Sequence, residues 1–155
     1  MKITVLVVGR MRGSLAEAVS DMEERAARYW KLSVVEVDGG GPGGSSDPEL
    51  VRAAEEERLL GRLGRDVDVV ALTRAGQSMG SRAFATYVQE RALHAHDMAF
   101  VIGGAFGLGA GILGRARQLT LSAMTFPHEV ARLLLAEQLY RAGTILRGEP
   151  YHKGP

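Results

Sequence analysis

Apolar and polar positions along this chain switch between two periods. Lys2–Val8 is a β-branched, apolar run with little alternation, the pattern of a strand buried on both faces. Ser33–Val37, Val67–Leu72 and Met98–Ile102 repeat it, and Leu119–Leu121 is a shorter fifth run. Helical patterns separate these strands. The first runs from Ser14 to about Trp30, with Ser14 as N-cap and Glu17 three residues on to complete a capping box. The second starts at Asp47-Pro48, with proline at the first helical position, and continues to about Leu63. Ser81–His94 and Pro127–Ala142 follow, and a short helix opens from the glycine-rich Gly103–Gly111 turn and reaches about Arg117. Asp38–Ser46 and Thr73–Gly80 read as loops, and Gly143–Pro155 as a tail. This βα alternation predicts an α/β fold: one domain over residues 1–155, with a mostly parallel sheet covered by helices on both faces.

The last helix is apolar around most of its circumference. Val130, Ala131, Leu133, Leu134, Leu135, Ala136 and Leu139 leave only Arg132, Glu137, Gln138 and Arg141 strongly polar in its middle. Such a helix buries more than one side. In a protein this small a subunit interface is the expected place, so the pattern predicts a homodimer, with burial inside the monomer as the alternative.

Composition narrows the class. The 155 residues carry a net charge of +1, and 46% are apolar. Cysteine is absent, which excludes disulfides and thiolate metal sites. The four histidines, His94, His96, His128 and His152, lack ligand spacing apart from the 94/96 pair, so no metal is expected. The longest uncharged stretch, Met98–Gly114, contains six glycines and is too short and too glycine-rich to span a bilayer. No secretory signal pattern opens the chain, and a cytoplasmic protein is expected. Charge is unevenly spread: residues 45–68 hold four Arg against seven acidic residues, whereas residues 112–155 hold six basic residues against three Glu. The basic C-terminal third suits an anionic partner.

Three segments carry candidate chemistry. Phe100–Leu108 is a strand ending in Gly103-Gly104, where the missing Cβ atoms let a flat ligand approach, at the strand end where open α/β sheets bind ligands. Leu121–His128 joins a short strand to a helix and offers backbone groups, two hydroxyls and apolar side chains, which suits an adenine. The tail places Tyr151, His152 and Lys153 together, acid/base groups if the tail folds over a pocket. Gly109, Gly111 and Gly114 match G-x-G-x-x-G, but they follow a late strand and lack an acidic residue at the next strand end, so a dinucleotide site is rejected.

Ile102–Leu108, Leu121–His128, Leu134–Ala142 and Pro150–Lys153, in this order and spacing, resemble the RlmH family of bacterial methyltransferases, which act on N3 of a pseudouridine in 23S ribosomal RNA. The resemblance covers nearly the whole chain. It implies a SPOUT fold with a C-terminal trefoil knot over about residues 98–145, a homodimer, and a substrate-facing tail over 146–155. It implies that S-adenosyl-L-methionine is held by Leu72, Gly103, Gly104 and the run Leu121, Ser122, Ala123, Met124, Thr125 and Phe126. Tyr151, His152 and Lys153 would then stand beside the methyl donor and the RNA.

On this reading His152 takes the N3 proton, directly or through water, and Tyr151 orients it. Arg141 and Arg132 hold RNA phosphate or stabilise charge on a base carbonyl, and Lys153 meets the RNA. The competing reading is a ribosome-associated α/β RNA-binding module without catalysis.

Overall fold

A computed structural model of the protein describes residues 1–155. Five strands, β1 (Lys2–Val8), β2 (Lys31–Val37), β3 (Val67–Ser78), β4 (Asp97–Ile102) and β5 (Arg117–Thr120), form one sheet in the order β2-β1-β4-β3-β5, and every neighbouring pair is parallel. The helices are α1 (Ala16–Ala26), α2 (Pro48–Leu60), α3 (Ser81–Leu93), α4 (Ala110–Leu113) and α5 (His128–Leu146).

Alternation along the strands divides the core into two layers. Ile3, Val5 and Val7 of β1, Val70 of β3 and Met98, Phe100 and Ile102 of β4 face α1, α3 and α5. Leu6, Val8, Val69, Ala71 and Val101 point the other way, onto Leu59 of α2 and Ile112 of α4. The continuous apolar runs are therefore strands with both faces covered.

Several local expectations shift. Asp47 caps α2 as its sequence indicates, accepting from the Glu49 and Leu50 amides at 2.9 and 3.3 Å. The Ser14 capping box does not form. Gly13 takes a positive φ, the Ala16 amide closes a turn onto the Gly13 carbonyl, and α1 begins one residue later without a side-chain cap. β3 runs to Ser78, through what reads in sequence as a loop, because its outer end pairs with β5 after a register shift. The short helix stops at Leu113, and α5 continues past Ala142 to Leu146. Gly143 does not end α5, because it is the point where the helix lies against Tyr29: a Cβ there would stand 2.3 Å from Tyr29 Cγ.

The apolar circumference of α5 is largely accounted for within the chain. The helix lies between α1 and α3 over the sheet, with Leu135, Leu139 and Ala142 in the core. Trp30 Nε1 donates to the Leu139 carbonyl at 2.8 Å, and Ser81 Oγ bonds Gln138 at 2.8 Å. Arg132, buried at 8% exposure, makes the strongest tie. Its guanidinium reaches Glu23 of α1 at 2.5 Å and Glu36 of β2 at 2.8 Å. Burial pushes the Glu36 carboxyl up, but the Met11 amide and Arg132 outweigh it, so Glu36 titrates below its ordinary 4.5.

Two outcomes follow from this triad. Arg132→Ala strands two partly buried carboxylates and is expected to cost about 3 kcal/mol, or roughly 10 °C in Tm by thermal melting. Because the Glu36 pKa is depressed on folding, its contribution is full above about pH 4.5 and is lost as pH falls through the lower folded value. Melts of Glu36→Gln should therefore depend less on pH in that acid range than melts of the unaltered protein.

Candidate functional site

The carboxyl ends of β3, β4 and β5 enclose a cavity of about 640 Å³. Leu72 stands at the end of the buried part of β3, and Ile102, Gly103 and Gly104 at the end of β4. Leu121, Ser122, Met124, Thr125 and Phe126 come from the loop after β5, and His128 and Ala131 from the first turns of α5. Of the nine residues expected around a cofactor, only Ala123 does not line this space. The loop is shaped by local polar contacts: Ser122 N–H donates to Thr120 Oγ1 at 3.1 Å, and Met124 N–H to Ser122 Oγ at 3.0 Å. Its wall is mostly apolar, with hydroxyls at Thr73, Ser122 and Thr125.

The turn after β4 is packed from behind by α2. Glu55 is only 4% exposed, and its Oε2 accepts from the Gly40 amide at 2.9 Å while Oε1 has no partner. A Cβ on Gly104 would stand 2.8 Å from that carboxylate and 3.1 Å from Val8 Cγ1, so a side chain there would displace Glu55. The next residue, Glu56, accepts from the Ile112 amide at 2.8 Å and presses on Gly109 and Gly111. Arg58 donates to the Asp38 and Gly40 carbonyls, both at 2.8 Å. The acidic α2 thus fixes two glycine-rich segments, one around Gly40 and one around Gly109–Gly111. Residue type does not mark Glu55 as buried; its signal is the helical period, four residues after Val51 and four before Leu59 on one face.

The tail forms a second group. Tyr151 OH donates to Glu137 Oε1 at 3.1 Å, Arg141 Nη2 donates to the same oxygen at 2.5 Å, and Arg141 Nη1 lies 3.0 Å from His152 Nδ1. The Arg141 guanidinium also lies over the Tyr151 ring, 4.9 Å from its centroid, and Tyr140 packs edge-on against it at 4.6 Å. His152 Nε2 is 2.9 Å from the Pro155 carbonyl, which makes that nitrogen the N–H donor and Nδ1 the acceptor of the arginine proton. Burial and the adjacent Glu137 carboxylate push the Tyr151 phenol up from 10.0, so it stays protonated. Glu137, the hub of this cluster, was not singled out by the sequence.

The structure brings Tyr151, His152 and Arg141 together, but not with the cavity: none of them lines it, nor does Lys153, which is exposed. Glu137 and Arg141 lie about two to three helical turns beyond Ala131 on α5. Arg132 joins neither group, because both its carboxylate partners are structural.

Residues 1–152 match the family model described as "Predicted SPOUT methyltransferase". The chain belongs to the SPOUT methyltransferase family. It is 52% identical to the ribosomal RNA large subunit methyltransferase H of Gemmatimonas aurantiaca, over 99% of this chain and all of that protein. It is 45% identical to the protein of the same name from an Anaeromyxobacter species, again over 99% of this chain and all of the relative. Among solved structures, a probable methylase family protein from Haemophilus influenzae is similar in fold, with a TM-score of 0.54 at 12% identity, covering 98% of this chain and 70% of that one.

No helix of this SPOUT protein is long and apolar enough to cross a membrane, and no group of three or more His, Asp or Glu side chains is placed to hold a metal ion. The tail cluster has a spectroscopic test. Replacing Glu137 by Gln removes the nearby negative charge, and the Tyr151 midpoint should fall toward 10 in an ultraviolet tyrosinate titration read against Tyr151→Phe. An unchanged difference titration would show that burial alone sets it.

Proposed function

We propose that the protein methylates N3 of a pseudouridine in 23S ribosomal RNA of the large subunit, using S-adenosyl-L-methionine, as a cytoplasmic homodimer. The observation that carries this reading is the cavity at the carboxyl edge of the sheet, walled by the Gly103-Gly104 turn and the Leu121–Phe126 loop, in a chain of this family. The names of the relatives support ribosomal RNA as the substrate. The cavity fits the cofactor on its own terms. Its volume lies in the range of small-molecule sites, its walls are largely apolar, and the Gly104 backbone approaches without a side chain. Leu72, Gly103, Gly104, Leu121 and Phe126 would hold the adenosine, with Ser122 and Thr125 offering polar contacts. Residues 98–145 we infer to be threaded as the family's trefoil knot, which the outward step from β4 over β3 to β5 supports.

When bound, the cofactor supplies a methyl group on a sulfonium, a reactive electrophile that needs alignment more than activation. The chain's task is to prepare the nucleophile. An imide N3–H is poorly nucleophilic until it loses its proton, and we assign that proton transfer to His152. In this structure its Nδ1 lone pair is occupied by Arg141. Arg141 must therefore turn from His152 toward the base, where its guanidinium stabilises the charge that develops on the adjoining carbonyl. The same movement frees Nδ1. Tyr151, kept as a phenol, stays a hydrogen-bond donor that orients the base, and Lys153 meets phosphate.

Because the tail and the cavity are separate within one chain, we infer that each tail serves the cavity of a second copy. An apolar recess of about 230 Å³ next to Leu121, rimmed by the 36%-exposed Leu134, is a surface such a copy would cover.

His152→Ala should cut methyl transfer to ribosomes or isolated large subunits by at least a hundredfold while leaving S-adenosylmethionine affinity near that of the unaltered protein. Near-normal transfer would sink the base assignment, and absence of cofactor binding by the unaltered protein would favour a non-catalytic RNA-binding module. Mixed dimers test the shared site. Co-expressing a Gly104→Leu chain with a His152→Ala chain should restore activity that neither variant has alone, and no restoration would place both halves of the site in one chain.

A further inference from the structure

The pairing of β3 with β5 jumps at the edge of the cavity: Leu72 and Gln77 both face Leu119. The four residues between them, Thr73 to Gly76, are looped out of the ladder, a bulge of the kind that re-aims side chains beside functional sites. Two contacts pin it. Gly76 lies flat on β5, where a Cβ would stand 2.5 Å from the Leu119 carbonyl carbon and 2.7 Å from that of Gln118. Thr73 Oγ1 donates to Gln118 Oε1 at 3.1 Å. The pinned bulge presents Thr73, Arg74 and Ala75 to the 640 Å³ cavity.

Arg74 is the one arginine or lysine among the residues lining that cavity, no carboxylate lines it, and His128 is its only other ionisable side chain. The arginines around it are engaged. Arg117 on the neighbouring strand bonds Gln77 at 2.6 Å and lies over the Tyr87 ring; elsewhere in the chain, Arg141 and Arg132 are held by glutamates. The Arg74 guanidinium has neither a hydrogen-bond nor an ion-pair partner in the chain. A rigid turn thus delivers an unpartnered, two-pronged donor to the rim of an otherwise neutral pocket.

We propose that Arg74 binds the carboxylate of the cofactor's amino-acid tail, an inference that rests on the S-adenosylmethionine reading above. That ligand carries two positive centres and one carboxylate. Apolar walls and glycine amides accommodate the adenosine, but the carboxylate requires donors, and a guanidinium matches its two oxygens in geometry and charge. Arg74 is therefore a specificity residue: it distinguishes a ligand with an α-carboxylate from one without it.

Titration calorimetry with two ligands tests this. Decarboxylated S-adenosylmethionine keeps the sulfonium and the ammonium and lacks only the carboxylate. Arg74→Ala should weaken S-adenosylmethionine binding about tenfold and leave the decarboxylated ligand unchanged, with Arg74→Lys in between. The unaltered protein should prefer the full cofactor by a similar factor. Since the side chain is exposed, melting temperatures should not move, which separates the effect from misfolding. Equal losses on both ligands, or no loss on either, overturn the assignment. An Arg74→Ala protein that binds both ligands normally but needs more RNA for half-maximal rate overturns it in favour of a phosphate contact. If the unaltered protein binds neither ligand, the cofactor reading fails and this inference with it.

Discussion

The placement of α5 is the constraint on which both parts of the proposed site depend, and Arg132 sets that placement. An arginine buried between Glu23 and Glu36 ties α5 to α1 and to the edge strand β2 at once. Apolar packing alone is non-directional, so a helix apolar around most of its surface has several ways to lie on a sheet with little difference in energy. A buried guanidinium tolerates only the arrangement in which both carboxylates reach it, since the alternative leaves unpaired charge in the interior. Once α5 is fixed in rotation and depth, His128 and Ala131 stand at the cavity. Glu137 and Arg141, further along, then face the returning tail. The Trp30 bond to the Leu139 carbonyl and the close approach of Gly143 to Tyr29 hold the far half of the same helix.

A second set of charges, on α2, packs behind the turn that walls the cavity. Glu55, Glu56 and Arg58 make hydrogen bonds to backbone groups of segments too rich in glycine to hold a shape by themselves. Glycine contributes the close approach but also the largest entropy of ordering, and the carboxylates of α2 offset that entropy by fixing specific amides. The unpartnered Oε1 of Glu55 fits this role. It stands behind Gly104, on the side of the turn that faces α2.

Most of the fold was readable from the sequence because parallel strands covered on both faces are continuous apolar runs, and β1 and β4 are such runs with turn residues at their ends. What escaped was decided by contacts between segments distant in sequence. The outer half of β3 is polar and glycine-containing, and only β5, about 45 residues on, makes it a strand. Gly143 looked like a helix end because a glycine's reason to sit inside a helix is its neighbour, here Tyr29 more than 110 positions away. Ser14 had the right spacing for a capping box, but the positive φ at Gly13 used that stretch for a turn. Of the site, the motifs located the cavity wall almost residue by residue. They did not separate Arg132 from Arg141, two arginines on one helix, one bound into the core and one facing the tail. Residue type and spacing are the same for both, and burial alone tells them apart.

On the proposed reading, the hydrogen bonds of the tail also bear on how the His152 imidazole is held before its substrate arrives. With Nδ1 3.0 Å from Arg141 Nη1 and Nε2 2.9 Å from the Pro155 oxygen, both ring nitrogens have hydrogen-bond partners. The guanidinium is in turn shared with Glu137, which also holds Tyr151. One carboxylate thus keeps arginine and phenol in register, and the arginine keeps the histidine in a single tautomer. On the reading proposed above, an imide carbonyl that competes for Arg141 releases the imidazole lone pair at the same moment and beside the proton to be removed. Activation of the nucleophile is then coupled to recognition of the base through one side chain.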